Sequence, residues 1–124
     1  MTHPSFEQAM ARISVQELAE RLAGAAGMDP TSKIQLIDVR EPQEVAIASL
    51  PAFDNFPLSE FAVWSGQIHD HLDAEVETLV LCHHGFRSAQ VCQWLMAQGF
   101  SNVKNITGGI DAYANIVDSS IPKY

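Results

Sequence analysis

The chain has 124 residues, 47% of them hydrophobic, and its fifteen acidic and seven basic side chains give a formal net charge of -8. This length suits one domain with a modest core, and the apolar fraction excludes a disordered chain. An acidic balance without a basic patch argues against a nucleic-acid-binding protein.

Cysteine usage and the first residues bear on the cellular compartment. The two cysteines, Cys82 and Cys92, do not make a disulfide framework. Residues 1–7 lack the basic stretch and apolar core of a signal peptide, and no apolar run is long enough to cross a bilayer. We therefore expect a cytoplasmic protein of a reducing compartment, with no membrane partner.

The first predicted helix begins at Ser14. Residues 1–11 before it indicate a loose arm or a short helix. Ser14 and Glu17 match a capping box, in which each side chain accepts a hydrogen bond from the backbone amide of the other residue. Residues 24–33 after the helix hold two glycines and a proline, which predict a loop. Apolar residues at helical spacing predict the helix itself: Val15, Leu18, Ala19 and Leu22.

The next segments predict strands that alternate with short helices. A mostly apolar strand covers residues 34–39. A short helix over residues 41–48 has Pro42 near its first position, where a missing amide costs nothing. A second, short strand is predicted over residues 53–56.

The region after this strand is predicted to be helical and then acidic. Residues 57–61 open a helix that extends through Trp64 and Ile68. Residues 70–77 form an acidic stretch, which indicates a solvated turn or a docking face for a partner.

The last third of the chain repeats the alternation of strand and helix. A central strand over residues 78–81 is followed by a helix over 88–98, with Gly99 suited to end it. A strand over residues 103–106 then leads into a helix over 110–116. This alternation predicts an α/β fold with a parallel sheet covered on both faces.

A cysteine-containing loop joins the central strand to the following helix. Cys82 ends the apolar run, and residues 83–88 contain one glycine and one arginine before the helical pattern. Backbone amides at a helix N-terminus lack partners, and the helix dipole is positive there, so such a loop is an anion cradle. We expect the amides of residues 83–88 to surround the sulfur and Cys82 to be a thiolate near neutral pH. The alternative is a buried core cysteine.

The number of residues between Cys82 and Arg87 limits the size of the chemical group that this loop can hold. Four residues separate Cys82 from Arg87. Protein tyrosine phosphatases and related enzymes have five residues there, because their loop holds a tetrahedral phosphate over the sulfur. A ring one residue smaller suits a smaller group, such as one extra sulfur atom on the cysteine. The spacing therefore argues against a phosphatase or an arsenate reductase.

The loop sequence over residues 82–88 resembles the active-site loop of the rhodanese family of sulfurtransferases. Three further segments resemble that family in the right order, at residues 36–42, 55–58 and 103–109. The resemblance covers most of the chain, from about residue 12 to residue 117. It implies a rhodanese-like α/β fold: a five-stranded, mainly parallel sheet flanked by helices on both faces.

The same resemblance implies a domain organisation. It predicts an N-terminal arm over residues 1–11, one rhodanese domain over residues 12–118 and a C-terminal tail over residues 119–124. The chain is expected to be a monomer.

The resemblance also implies a reaction. A sulfane sulfur would move from a donor onto Cys82, which would hold it as a persulfide and pass it to a thiophilic acceptor, a thiol or a cyanide-like molecule. Thiosulfate, a low-mass persulfide and a protein-bound persulfide all remain open as donors, although the net charge of -8 disfavours a small free anion. No cofactor is expected. A non-catalytic partner-binding module and a persulfide carrier between proteins are the alternatives.

Four loop residues have individual expectations. Gly85 permits a turn with positive φ, and Phe86 forms an apolar wall of the pocket mouth. Arg87 either faces an anionic donor or braces the loop by pairing with a carboxylate. Ser88 is expected to be the N-cap of the following helix, from which its hydroxyl can also donate to the Cys82 sulfur.

His83 and His84 are expected at the rim of the pocket. There they contact substrate or, when charged, favour the thiolate. A metal site that combines them with Cys82, His69 and His71 is not expected. Adjacent residues converge poorly on one tetrahedral ion, and the chain has no Cys-x-x-Cys pair to support a zinc site.

Two residues outside the loop complete the predicted site. Asp38 and Arg40 lie just past a strand that should run parallel to the Cys82 strand, so both strand ends share one edge of the sheet. They are expected to support the loop from below, with a surface salt bridge as the alternative.

Cys92 lies on the apolar face of the helix and is expected in the core, with a resolving thiol as the alternative.

Overall fold

The computed structural model describes residues 10–24 and 33–124. Within these residues the strands lie in one sheet in the order β1-β5-β4-β2-β3, and every neighbouring pair is parallel. The predicted α/β class is confirmed, and the sheet is parallel throughout. The strands, numbered along the chain, are β1 (Ala11–Ile13), β2 (Ile34–Asp38), β3 (Asp54–Asn55), β4 (Glu77–Leu81) and β5 (Val103–Ile106).

Helices connect the strands. The helix predicted from residue 57 through Ile68 is instead a series of short turns, in which the 3-10 segments Leu58–Glu60 and Ser65–Gln67 interrupt the α-helical pieces. None of the helices that the structure describes is long and apolar enough to span a bilayer. The α-helices are α1 (Val15–Gly24), α2 (Pro42–Ile47), α3 (Phe61–Trp64), α4 (Ile68–His71), α5 (Phe86–Ala97) and α6 (Gly109–Ile116).

The alternation of side chains along β4 divides the core into two layers. Leu79 and Leu81 pack on the face covered by α1 and α6. Val80 and Cys82 pack on the opposite face, among apolar residues of α3, α4 and α5. The predicted cover of helices on both faces is therefore present, and Cys82 lies on the side of the helix that follows it.

Caps at two helix ends follow the sequence signals. The backbone N–H of Glu17 donates to Ser14 Oγ at 3.0 Å, as the capping pattern predicts. After α5, Gly99 adopts φ +96° and the N–H of Phe100 donates to Leu95 O at 3.1 Å. The start of α5 was predicted two residues too late, because the helix begins at Phe86.

The first strand was not predicted. β1 falls partly within the segment interpreted as an arm over residues 1–11, and it pairs in parallel with β5 along the edge of the sheet. Met10, just before it, is buried in the core. A run of three residues carries too little pattern to distinguish a strand from an arm. The remainder of the predicted arm, and most of the loop predicted over residues 24–33, lie outside the described residues.

The register of the sheet places the functional loop. Asp38 at the end of β2 pairs with Leu81 at the end of β4, and the N–H of Val39 donates to Leu81 O at 2.9 Å. Cys82 therefore leaves the sheet beside the segment that carries Arg40. Both lie at the carboxyl edge of a parallel sheet, which is where sites form in this class of fold.

Candidate active site

Cys82 lies between the end of β4 and the start of α5. Its Sγ accepts a hydrogen bond from the backbone N–H of Gly85 at 3.0 Å and lies 3.2 Å from Ser88 Oγ. Gly85 precedes α5 with φ +98°, a conformation that side chains rarely adopt. Cys82 is 1% exposed, yet its sulfur has polar partners. A simple core cysteine would lack such polar partners for its sulfur. The expectation that the amides of residues 83–88 surround the sulfur was wrong in part, because only the Gly85 N–H among them donates to it.

Ser88 holds a different position from the one predicted. Gly85 takes the N-cap, so Ser88 lies inside the first turn of α5 and is fully buried. Its Oγ lies between Cys82 Sγ and Asn105 Oδ1, which it approaches to 2.5 Å. The proposed contact with the sulfur is therefore present, although the N-cap role was wrong.

Asn105 on β5 completes this buried network. Its Nδ2 donates to Gly85 O at 3.0 Å, which turns Oδ1 towards Ser88. A serine hydroxyl has one hydrogen to donate. When this hydrogen points at Asn105 Oδ1, Ser88 Oγ accepts a hydrogen bond from a neutral Cys82 thiol. When the hydroxyl rotates so that its hydrogen points at the sulfur, it stabilises a thiolate. Sequence reasoning gave Asn105 no role, because only the fold brings β5 beside the loop.

The start of α6 holds the loop from the other side. The N–H groups of Ile110 and Asp111 donate to the carbonyl oxygens of Cys82 and His83 at 2.9 and 3.1 Å. Gly109, with φ +63°, lies against those same carbonyls, where a Cβ has no room. The paired glycines before α6 thus allow the helix start to approach the cysteine loop closely.

Arg87 braces the loop. Its Nη1 and Nη2 donate to Glu44 Oε1 and Oε2 at 2.6 and 2.9 Å, a bidentate pair that joins α5 to α2. This arrangement lowers the pKa of Glu44 to about 2, chiefly through the hydrogen bonds from Arg87 and against the opposing effect of burial. Glu44 raises the pKa of Arg87 in turn. Of the two interpretations of Arg87, the structure shows the bracing one.

This ion pair predicts an acid-dependent loss of stability. The ordinary pKa of 4.5 falls to about 2 in the folded protein, so the stabilisation is complete above about pH 4.5 and is lost as the pH falls towards about 2. We expect Glu44→Gln to lower the urea midpoint at neutral pH, and the difference from the wild type to shrink on acidification. Glu20→Gln, an exposed glutamate of α1, is the control. A difference that does not change with pH would contradict this account.

Tyr124 connects the brace to the loop. Its hydroxyl donates to Glu44 Oε2 at 2.8 Å and accepts from Arg40 Nη1 at 2.8 Å. Its ring stacks on His83 with centroids 3.9 Å apart and planes 7° from parallel. Neither Glu44 nor Tyr124 was identified from the sequence, since Glu44 resembles a helix-surface charge and Tyr124 lies in the predicted tail over residues 119–124.

Asp38 and Arg40 form a buried ion pair rather than a surface salt bridge. Arg40 is 0% exposed, and its Nη2 lies 2.6 Å from Asp38 Oδ2 and 2.8 Å from Ala48 O. Through Tyr124 the pair connects with Glu44 and the Arg87 brace. Arg40 therefore acts on the cysteine loop indirectly, by fixing the carboxylate and the ring that contact it.

The two loop histidines and Phe86 lie at the surface end of the site. Burial lowers the pKa of His83, and the neighbouring His84 adds to the effect. Phe86 is 78% exposed and lines a pocket of about 480 Å³ that adjoins Gly85 and Asn105 and does not include Cys82. The predicted wall residue thus borders a pocket beside the loop.

Cys92 differs from Cys82 in its surroundings. It is fully buried on α5 among apolar side chains, and burial raises its pKa to about 12, with a further rise from the charge of Cys82. It lies in the core, as its position on the helix predicts. Two cysteines of equal burial therefore differ in chemistry: one has hydrogen-bond partners for its sulfur, and the other is a neutral core thiol.

Comparison with known proteins identifies relatives over most of the chain. The family model described as rhodanese-like domain matches residues 14–116. Rhodanese-like/PpiC domain-containing protein 12, chloroplastic, of Arabidopsis thaliana is 52% identical over 112 residues, which cover 90% of this chain and 36% of that protein. The chain thus spans about a third of that relative's length.

Two further relatives are closer to this chain in length. A sulfurtransferase of Allochromatium vinosum is 32% identical over 102 residues, 82% of this chain and 86% of that protein. The crystal structure of a rhodanese-related protein from Thermoplasma volcanium matches with a TM-score of 0.66 at 27% identity, and the match covers 85% of this chain and 91% of the other.

Proposed function

The chain belongs to the rhodanese-like domain family, and on that premise we propose that it is a sulfurtransferase that carries a sulfane sulfur as a persulfide on Cys82. The observation that carries the proposal is the environment of Sγ, which has the Gly85 amide at 3.0 Å and the Ser88 hydroxyl at 3.2 Å. The Gly85 amide favours an anionic sulfur at the start of α5, and the Ser88 hydroxyl adds to this once its hydrogen turns from Asn105 Oδ1 to Sγ.

The proposed step conserves atoms and electrons. The Cys82 thiolate attacks the outer sulfur of a donor R–S–S⁻ or of thiosulfate, and a new S–S bond forms as the donor's S–S bond breaks. The leaving group departs with the bonding electrons as a thiolate or as sulfite. An acceptor thiolate then attacks the outer sulfur of the Cys82 persulfide, which restores the Cys82 thiolate.

Charge around the loop supports a persulfide over thiosulfate as the donor. Arg87 carries the permanent positive charge of the loop, and both of its terminal nitrogens bind Glu44. A dianion approaching the loop thus meets a cation whose charge is already matched, in a chain of net charge -8. We propose a sulfane sulfur carried on a low-mass thiol or on a protein, with a thiol as the acceptor.

The phosphatase alternative has less support. Cys82 is 1% exposed, which suits transfer of one sulfur atom better than attack on a bulky phosphoryl group. A phosphate-binding arginine would also need donors that Arg87 directs at Glu44. The non-catalytic module is disfavoured because the cysteine, its hydrogen-bond donors and the arginine are all in place.

A turnover assay tests the proposal. The intact chain is given a low-mass persulfide or thiosulfate with a reduced thiol acceptor, and a generic aryl phosphate in a parallel reaction. We expect sulfur transfer, faster from the persulfide, and no phosphate release. Phosphatase turnover, or no transfer from any donor, would overturn the proposal, and tight partner binding with an unreactive Cys82 would support the non-catalytic module.

Ser88→Ala is expected to slow sulfur transfer about tenfold, because it removes one hydrogen bond to a charged sulfur. Steady-state transfer rates at neutral pH measure the effect, with Ser101→Ala as an exposed control. A wild-type rate in Ser88→Ala would show that Ser88 serves only packing.

A further inference from the structure

A cluster of side chains with metal-binding chemistry lies beside the cysteine loop. Candidate ligand atoms of His83, His84 and Asp111 all lie within 4.8 Å of one another, and His84 Nδ1 is 3.8 Å from Asp111 Oδ2. We propose that these three residues bind a divalent transition-metal ion of the zinc type, at a site distinct from the sulfur of Cys82.

The backbone holds the two parts of this site together. The N–H of Asp111 donates to His83 O at 3.1 Å, and the N–H of Ile110 donates to Cys82 O at 2.9 Å. The first turn of α6 is thereby fixed to the segment that carries both histidines. Asp111 is thus constrained to stay within reach of the imidazoles, although it lies far from them in sequence.

The donor set matches zinc chemistry. Two imidazole nitrogens and one carboxylate oxygen leave a fourth position for water, as in open zinc sites, and bonds of about 2.0–2.2 Å place tetrahedral donors roughly 3.3 Å apart. The side chains of His84 and Asp111 are 53% and 34% exposed, so both can rotate to close the remaining distance. Magnesium and calcium prefer sites made of oxygen ligands and should bind poorly.

The neighbours of the cluster favour ligation. Tyr124 stacks on the face of the His83 ring and restrains it, while a metal binds the nitrogens in the plane of the ring. The His84 ring centroid also lies 3.9 Å from that of His83, with the planes 33° from parallel, so the exposed His84 side chain must turn for both imidazoles to face one ion. Asn115 Nδ2 donates to Asp111 Oδ2 at 3.2 Å and orients the carboxylate. Such supporting contacts hold ligands in place at metal sites.

Zinc titration by calorimetry and cobalt absorption spectroscopy test the proposal on the full chain. One Zn²⁺ should bind per chain, and Mg²⁺ should not compete. His84→Gln and Asp111→Asn should each weaken binding by at least about tenfold. His71→Gln, a histidine of α4 outside the cluster, is the matched control and should leave the affinity unchanged.

A Cys82→Ser variant separates this site from the catalytic thiol. It should retain zinc affinity, and the cobalt complex should lack thiolate-to-metal charge-transfer absorption because its donors are nitrogen and oxygen. The proposal would be overturned if the chain did not bind zinc or if Cys82→Ser lost zinc binding. It would also be overturned if His84→Gln and Asp111→Asn bound zinc with the wild-type affinity. Zinc affinity is measured without any sulfur donor, so failure here does not affect the proposed sulfurtransferase function.

Discussion

Replacing Cys82 by serine is expected to reduce sulfur transfer by at least about a thousandfold while leaving the fold intact. A hydroxyl is a far weaker nucleophile than a thiolate and forms no persulfide, so the covalent route is lost. The fold should persist, because Gly85 N–H and Ser88 Oγ can hydrogen-bond to a serine oxygen as they do to Sγ. Steady-state transfer rates and far-UV circular dichroism of the same samples measure the two expectations.

Cys92→Ala is the matched control for this prediction. Cys92 is equally buried, but its environment keeps the thiol neutral, with a pKa raised to about 12. This variant should lose some stability, because it leaves a small cavity in the core, and should keep its transfer activity. Activity that survives Cys82→Ser and disappears in Cys92→Ala would reverse the assignment of the nucleophile.

Alanine at Gly109 is expected to destabilise the protein by about 3 kcal/mol or more. A Cβ at this position points into the carbonyl oxygens of Cys82 and His83, well inside van der Waals contact. The residue also has φ +63°, where an L side chain is strained by about 1–3 kcal/mol. The start of α6 must therefore move away from the loop and release the two backbone hydrogen bonds that tie them together. Urea unfolding measures the loss.

The same substitution should impair sulfur transfer even in the folded fraction, because the cysteine loop loses its support. Gly66→Ala is the control, since no heavy atom lies within 4 Å of a Cβ there and the backbone is not left-handed. We expect that variant to be neutral or slightly stabilising. A Gly109→Ala protein with wild-type stability and activity would show that the close approach of α6 to the loop does not matter.

Strands β2 to β5 and the cysteine loop could be predicted because their signals are local. An apolar strand, a cysteine, a glycine and an amphipathic helix follow one another between Thr78 and Gln98, and local propensity decides each of them. The positive φ of Gly85 was predicted in the same way. The N-cap role of Ser88 was wrong because that glycine already starts the helix, so the serine turns inward to the sulfur.

The supporting residues could not be predicted because they meet only through the fold. Asn105 reaches Ser88 from β5, and Glu44 reaches Arg87 from α2. Tyr124 joins the same network from the predicted tail. Each residue taken alone resembles an ordinary polar or terminal position. In a parallel sheet the carboxyl ends of the strands meet at one edge, and the fold brings these positions together there as a site.

The same limit explains the expectation of no metal site. Cys82, His83 and His84 are adjacent in sequence and converge poorly on one ion. Asp111 lies far along the chain, and only the backbone hydrogen bonds of α6 bring it to His83 and His84. The proposed cluster therefore depends on a tertiary contact that no spacing in the sequence reveals.

Intact-mass spectrometry of the chain after exposure to a low-mass persulfide tests the central claim most directly. We expect the mass of one sulfur atom to be added, fragment spectra to place it on Cys82, and a thiol acceptor to remove it. No gain with persulfide or thiosulfate, or a gain that maps to Cys92, would contradict the assignment of Cys82 as the sulfur carrier.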